Sequence, residues 1–116
     1  MSNITVGVLG LRRGFTHLRN FLHAPSAEVV GACDRIAQNR ERGAAHVAEV
    51  GARTKIVEEY DDLLAMQPDA IVVASNGSLH VDHSIRAMEA GCAVLCEVPG
   101  AYTPDESFRL RECVQR

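Results

Sequence analysis

Short, nearly all-apolar runs alternate with longer amphipathic stretches from one end of the chain to the other. The first run, Ile4 to Leu9, breaks at Gly10. Gly14 then opens a stretch with Phe15, Leu18, Phe21 and Leu22 on neighbouring helical faces. That order predicts a strand, a glycine turn and a helix reaching about His23, where Ala24-Pro25-Ser26 ends it. Glu28 to Cys33 reads as a second strand, followed at once by Asp34 and Arg35. Ile36 to Val50 reads as a helix with Ile36, Gly43, Val47 and Val50 on one stripe and Gly51 as its stop. Gly43 lowers helix propensity there but lets the helix approach the sheet closely.

The second half repeats the alternation. Lys55 to Val57 is a short third strand, and Asp61 is placed to cap a brief helix carrying Leu63, Leu64 and Met66. Ala70 to Ala74 is a fourth strand, Ser75 to Ser78 a polar turn, and Leu79 to Ala90 a helix with Val81, Ile85 and Met88 on one face. Asp82 and Arg86 are spaced for an ion pair on its other side. Gly91 closes that helix, and Ala93 to Cys96 is the fifth strand. Thr103-Pro104-Asp105-Glu106 is a capping box with proline at the first helical position. The last helix runs to the neighbourhood of Arg116, with Leu110, Cys113 and Val114 facing inward and Phe108 off that stripe, covering its edge.

Five strands alternate with helices, and the strands are apolar on both sides instead of alternating with polar residues. This predicts an α/β fold: a Rossmann-type doubly wound parallel sheet with helices on both faces. A chain of 116 residues suits one such domain. Hydrophobic residues at 47% and charged ones at 23% are ordinary for a globular protein, and a net charge of -3 offers nothing to nucleic acid or an anionic membrane. No apolar run approaches the ~20 residues of a membrane span, and the start of the chain lacks the pattern of a secretory signal. The four cysteines, Cys33, Cys92, Cys96 and Cys113, lack metal-type spacing and mostly lie in or beside apolar runs. Reduced, buried thiols in a cytoplasmic protein follow.

In an open parallel sheet, ligands bind at the carboxyl ends of the strands where the winding reverses. Here that point lies between strands one and four, so the loops Gly10–Gly14 and Ser75–Leu79 face each other. The Gly10-Leu11-Arg12-Arg13-Gly14 turn is one residue tighter than the three-glycine dinucleotide fingerprint, with Arg12 near the place of the middle glycine. Arg12 and Arg13 are set either to hold a pyrophosphate or to point into solvent. Asp34 ends the second strand roughly 20 residues past the turn, where the fingerprint has its ribose-binding carboxylate. The alternative is a simple cap for the following helix, and one carboxylate can serve both roles. A carboxylate there favours NAD, and Arg35 beside it leaves NADP open. His80 and His83 share a helix at a spacing a metal would use, but no further ligand accompanies them, so no metal site is expected. His17 and His80 sit near helix starts at the ligand edge, set to bond a cofactor or to fix a loop. His23 and His46 read as surface residues.

The residues as a whole resemble the N-terminal domain of the glucose–fructose oxidoreductase and inositol dehydrogenase (Gfo/Idh/MocA) family. DAIVVASNGSLHVDHSIRAMEAGCAVLCEVP is similar to that family's strand, turn, histidine, helix and AGxxVLCEKP pattern. VGVLGLRRGFTH is similar to its glycine turn followed by histidine, and VVGACDR to its second strand with the ribose-binding aspartate. The resemblance implies an NAD(P)-dependent oxidoreductase acting on a sugar, polyol or related carbonyl compound by hydride transfer. Cofactor contacts then fall on Gly10, Leu11, Arg12, Arg13, Gly14, Asp34, Arg35, Ser75, Asn76, His80 and Glu97.

Two departures stand out. The family's EKP lysine, which approaches the nicotinamide and the substrate, is Val98, and the glycine turn is shortened. The EVP form is similar to a subgroup that includes glycoside hydrolases using NAD transiently. That reading and a non-catalytic cofactor-binding module are the alternatives. The resemblance also implies a sixth strand and a C-terminal domain that these residues lack. The chain would then be the cofactor half of a longer protein that associates into homo-oligomers through the absent domain. Catalytic residues would lie in that domain, and the sheet would have an uncovered edge after the fifth strand.

Overall fold

The computed structural model describes residues 3–115. The strands are β1 (Ile4–Leu9), β2 (Ala27–Cys33), β3 (Lys55–Val57), β4 (Ala70–Val73) and β5 (Ala93–Cys96). The helices are α1 (Gly14–Leu22), α2 (Ala37–Glu49), α3 (Tyr60–Ala65), α4 (His80–Glu89) and α5 (Pro104–Val114). A 3-10 turn over Gly77–Leu79 precedes α4. The helix start expected at Leu79 is therefore delayed to His80. Arg116, where the last helix was expected to end, lies outside the described residues.

All strands are parallel, in the order β3-β2-β1-β4-β5. The winding reverses between β1 and β4, as a Rossmann sheet requires. Alternate strand residues feed two cores. Val6, Val8, Val29, Ala32 and Val72 pack with Leu18 of α1 and Val47 of α2 on one face. Leu9, Cys33, Ile71 and Val73 pack with Leu63 of α3 and Ala87 of α4 on the other. Leu18 and Leu63 are fully buried, each worth about 2 kcal/mol in transfer from water. At the end of the sheet away from the ligand loops, the Thr5 N–H donates to Asp69 Oδ2 and the Asp69 N–H donates back to Thr5 Oγ1, both at 2.9 Å. That reciprocal brace aligns β1 with β4.

Local signals and tertiary packing part company in several places. The capping box of α5 forms: the Glu106 N–H donates to Thr103 Oγ1 and the Thr103 N–H to Glu106 Oε1, both at 3.1 Å. Gly51 and Gly91 end α2 and α4 at positive φ. Asp61, expected as a cap, lies inside α3, whose N-cap is Glu59 without a side-chain bond. Asp82 and Arg86 do not pair with each other. Arg86 pairs with Asp61 of α3, and Asp82 with Arg109 of α5. Partners from other helices are better placed than a neighbour one turn away.

Of the expected α2 stripe, Gly43 and Val47 are buried, while Ile36 and Val50 are exposed beyond the helix ends. Gly43 makes its close approach to the Leu11 side chain, where a Cβ would come within 3.1 Å of Cδ1. In α5 only Cys113 is buried, whereas Val114 and Phe108 stay exposed. That helix packs chiefly on α4. β5 is an edge strand, and its Leu95 is 51% exposed. The four cysteines are free, with Cys33, Cys92 and Cys113 buried and Cys96 half-buried. No described helix is long and apolar enough to cross a membrane.

Candidate functional site

The loops at the carboxyl ends of β1 and β4 lie against each other. Gly10 has φ +97°, and a Cβ there would stand 2.5 Å from the Ala74 carbonyl oxygen. Only glycine fits both the conformation and the space. The Gly10 N–H donates to the Cys33 carbonyl and the Ala74 N–H to the Leu9 carbonyl, both at 2.8 Å, so three strand ends are locked together. Leu11 turns its side chain into the core, where it is fully buried. Gly14 lets α1 start hard against β1 and β4, since a Cβ would be 3.1 Å from Val8 Cγ1 and 3.2 Å from the Ala74 methyl.

No side chain caps α1, and its first turn holds no acidic residue. Its orphan N–H groups, with the exposed Arg12 and Arg13 beside them, make a cationic rim suited to an anion.

Asp34 is held from several sides. Its Oδ2 accepts from the Leu11 N–H at 2.8 Å and from Asn39 Nδ2 at 3.2 Å, and its Oδ1 accepts from the Ile36 N–H at 2.8 Å. Its own N–H donates to the Val57 carbonyl at 3.2 Å. Arg40 Nη1 donates to the carbonyls of Asp34 and Arg35 at 3.1 and 2.9 Å. The carboxylate thus ties the glycine turn to the start of α2, as well as facing the cleft. Behind it, burial first and then Asp34 itself push the Cys33 thiol up to about 12, which leaves it an inert packing group.

The opposite wall comes from β4 and β5. Ser75 Oγ lies 2.7 Å from His83 Nδ1. Burial, followed by the Arg86 charge, lowers His83 below its ordinary 6.5, so this ring faces the serine as a neutral imidazole at neutral pH. The Asn76 side chain accepts from the Ser78 N–H and shapes the 3-10 turn. His80 is 2% exposed, with Nε2 2.8 Å from the Ser75 carbonyl and Nδ1 2.8 Å from the Pro99 carbonyl. It is a buried brace between the two strand ends. His17 Nε2 lies 2.5 Å from Glu97 Oε1, joining α1 to the end of β5. That bond foremost, helped by the charges of His17 and Arg13, holds Glu97 below the usual carboxylate value.

Two adjoining cavities of about 390 and 370 Å³ open along this line. Gly10, Asp34, Ser75 and Asn76 line both. Arg12, Arg13 and His80 line the first, and Arg35 lines the second. Leu11, Gly14 and Glu97 line neither. They build the floor and the far corner instead. His80 and His83 both bond Ser75, the first at its carbonyl and the second at its hydroxyl. His46, read as a surface residue, has a side chain only 15% exposed, packed edge-on against Phe15 and His23.

Sequence reasoning passed over Asn39 and Tyr102, both of which line the first cavity. Asn39 carries a readable signal, since it sits one helical turn into α2 behind Asp34. Tyr102 carries none. It reaches Gly77 only because the segment after β5 folds back across the turn, where a Cβ on Gly77 would meet its ring. The shape suits a dinucleotide: the cationic loop before α1 and a fixed carboxylate line one cleft at the switch point of the sheet, and the carboxylate continues into the second recess.

A family model described as an oxidoreductase family with an NAD-binding Rossmann fold, GFO_IDH_MocA, matches residues 4–116. The chain is 38% identical over 93 residues to D-glucoside 3-dehydrogenase of Escherichia coli (strain K12), covering 77% of this chain and 24% of that one. It is 28% identical over 123 residues to a glycosyl hydrolase family 109 protein of Shewanella sp. (strain W3-18-1), covering 100% of this chain and 27% of the relative. Among solved structures, the WlbA dehydrogenase from Bordetella pertussis in complex with NADH and UDP-GlcNAcA superposes with a TM-score of 0.81 at 28% identity. That match covers 98% of this chain and 32% of that one. The chain therefore spans about a quarter of the length of these curated relatives and about a third of the solved one.

Proposed function

The chain belongs to the GFO_IDH_MocA oxidoreductase family, as its NAD-binding Rossmann domain, and on that premise we propose that it is the cofactor half of an enzyme oxidising or reducing a sugar or polyol. The observation that carries this reading is the cleft itself. Gly10, Arg12, Arg13 and Asp34 meet Ser75 and Asn76 across one continuous groove at the β1/β4 reversal.

In this reading the α1 start and the two arginines bind the pyrophosphate, and Asp34 binds the adenosine ribose. Ser75, Asn76 and the Val98–Tyr102 segment border the nicotinamide end. His80 and Glu97 act from behind that border: His80 fixes its two carbonyls, and Glu97 ties β5 to α1. A bound nicotinamide would supply the hydride acceptor or donor. The protein's share here is to hold the ring at a fixed pose, which is a large part of such catalysis.

Calorimetric titration with NAD, NADP and their reduced forms tests the reading. Saturable binding that weakens about 10-fold or more in Asp34→Ala is expected, since hydrogen bonds to a charged group contribute about 1.5–3 kcal/mol. A folded chain that binds none of these ligands would sink the proposal and favour a non-catalytic module.

One observation favours a second reading. Val98, at the position of the family lysine, is 77% exposed on the cleft wall and offers no proton. An NAD-dependent glycoside hydrolase would fit that wall if the rest of the protein supplied the acid–base groups. It would turn over with NAD in catalytic amounts and accumulate no NADH, whereas a dehydrogenase accumulates it.

A further inference from the structure

We propose that Asn39 is a ribose-reading residue that shares the adenosine diol with Asp34 and thereby favours NAD over NADP. The inference rests on the dinucleotide reading above. An ionised carboxylate offers about four acceptor sites on its two oxygens. Three are already taken in Asp34, by the Leu11 and Ile36 N–H groups and by the Asn39 amide. One good site is left, on Oδ1. A ribose diol brings two hydroxyls, so Asp34 alone does not satisfy it.

Asn39 is placed to take the second hydroxyl. It is half-buried in the first turn of α2 and lines the same cavity as Gly10 and Arg12. One N–H of its amide is spent on Asp34 Oδ2, at 3.2 Å. The second N–H and the amide oxygen remain as one donor and one acceptor. Asp34 Oδ1 accepts from one hydroxyl, and the Asn39 amide bonds the other.

The same network sets the preference between cofactors. A 2′-phosphate replaces a hydroxyl donor with an anion and brings it against a carboxylate. Asp34 cannot swing aside, because backbone N–H groups of two different segments hold its two oxygens and Asn39 closes the third side. Arg35 stands at the neighbouring cavity without a hydrogen bond to Asp34, and Arg40 is engaged with the carbonyls of Asp34 and Arg35. No side-chain cation bonds this carboxylate among the described residues.

The test is calorimetry of the chain and of Asn39→Ala with NAD and with NADP, alongside thermal melts. Asn39→Ala is expected to weaken NAD about 3- to 10-fold, the worth of one neutral hydrogen bond. NADP binding is expected to stay equal or improve, narrowing the preference by a similar factor. Unchanged NAD affinity in a folded Asn39→Ala chain would overturn the inference. An equal loss for both cofactors would also overturn it, since Asn39 would then only be shaping the loop. If Asn39→Ala melts early, Asn39→Ser, which keeps a short polar group, is read by the same two outcomes. Absence of NAD binding in the parent chain would instead refute the dinucleotide reading, and this inference with it.

Discussion

The two ends of the cleft are built differently. At the Asp34 end, the glycine turn, β3, the start of α2 and Arg40 all converge on one residue. At the β5 end, Leu95, Val98, Tyr102 and Phe108 are each more than half exposed, and β5 is paired to β4 along one side only, with two histidine contacts added beyond the ladder. One end is a finished binding surface. The other is a sheet edge whose apolar groups face water, held to the body by the β4 ladder and braced by His80 and His17. In the proposed reading, the adenosine half meets the tightly bonded end and the nicotinamide half the looser wall.

The largest effect is expected where the finished end is tightest. Gly10→Ala forces a Cβ onto the Ala74 carbonyl in a backbone region L-residues avoid. It should cost about 3 kcal/mol or more in urea unfolding and abolish cofactor binding. A variant of near-parental stability would show that the turn is as pliable as the β5 wall and erase the contrast.

His80→Ala is expected to come next. It removes a buried ring that bridges the Ser75 and Pro99 carbonyls, a loss of about 2 kcal/mol. Faster amide exchange should spread through Gly100–Tyr102 and leave the Leu11 amide protected. Exchange rising equally at both ends would mean the cleft opens as one unit.

Glu97→Gln is the smallest, and it is visible only as a pH dependence. A carboxylate held below its ordinary 4.5 stabilises the fold above that value and loses its contribution as pH falls through its lowered folded value. The substitution should flatten the acid limb of stability while changing neutral-pH stability little, because the pair is part-exposed. An unaltered acid limb would show that His17 and Glu97 do not couple α1 to β5.

Much of this was legible beforehand for a local reason. Strands buried on both faces are nearly all apolar, so Ile4–Leu9 and Ala70–Val73 announce a parallel sheet. The Thr103–Glu106 box and the helix-ending glycines are decided by residues within one turn of each other. Gly10 and Asp34 could be placed because a strand end, a turn and a carboxylate follow at fixed spacing along the chain. The pairing of Arg86 with Asp61 and of Asp82 with Arg109 could not. Helical spacing permits the Asp82–Arg86 pair, and only the packing of α3 and α5 beside α4 supplies competitors.

The same division holds in the site. By itself the sequence determined the fold class, the switch point and which loops meet there, because hydrophobic period and turn chemistry are properties of contiguous residues. The tertiary structure alone decided the rest. It turned Leu11 inward and drew Asn39 onto the Asp34 carboxylate. It also made His80 a buried brace and brought Tyr102 over Gly77. Each of those outcomes depends on which atoms distant segments place within about 3 Å of one another, the range in which hydrogen bonds and steric overlap act, and spacing along the chain does not set those distances.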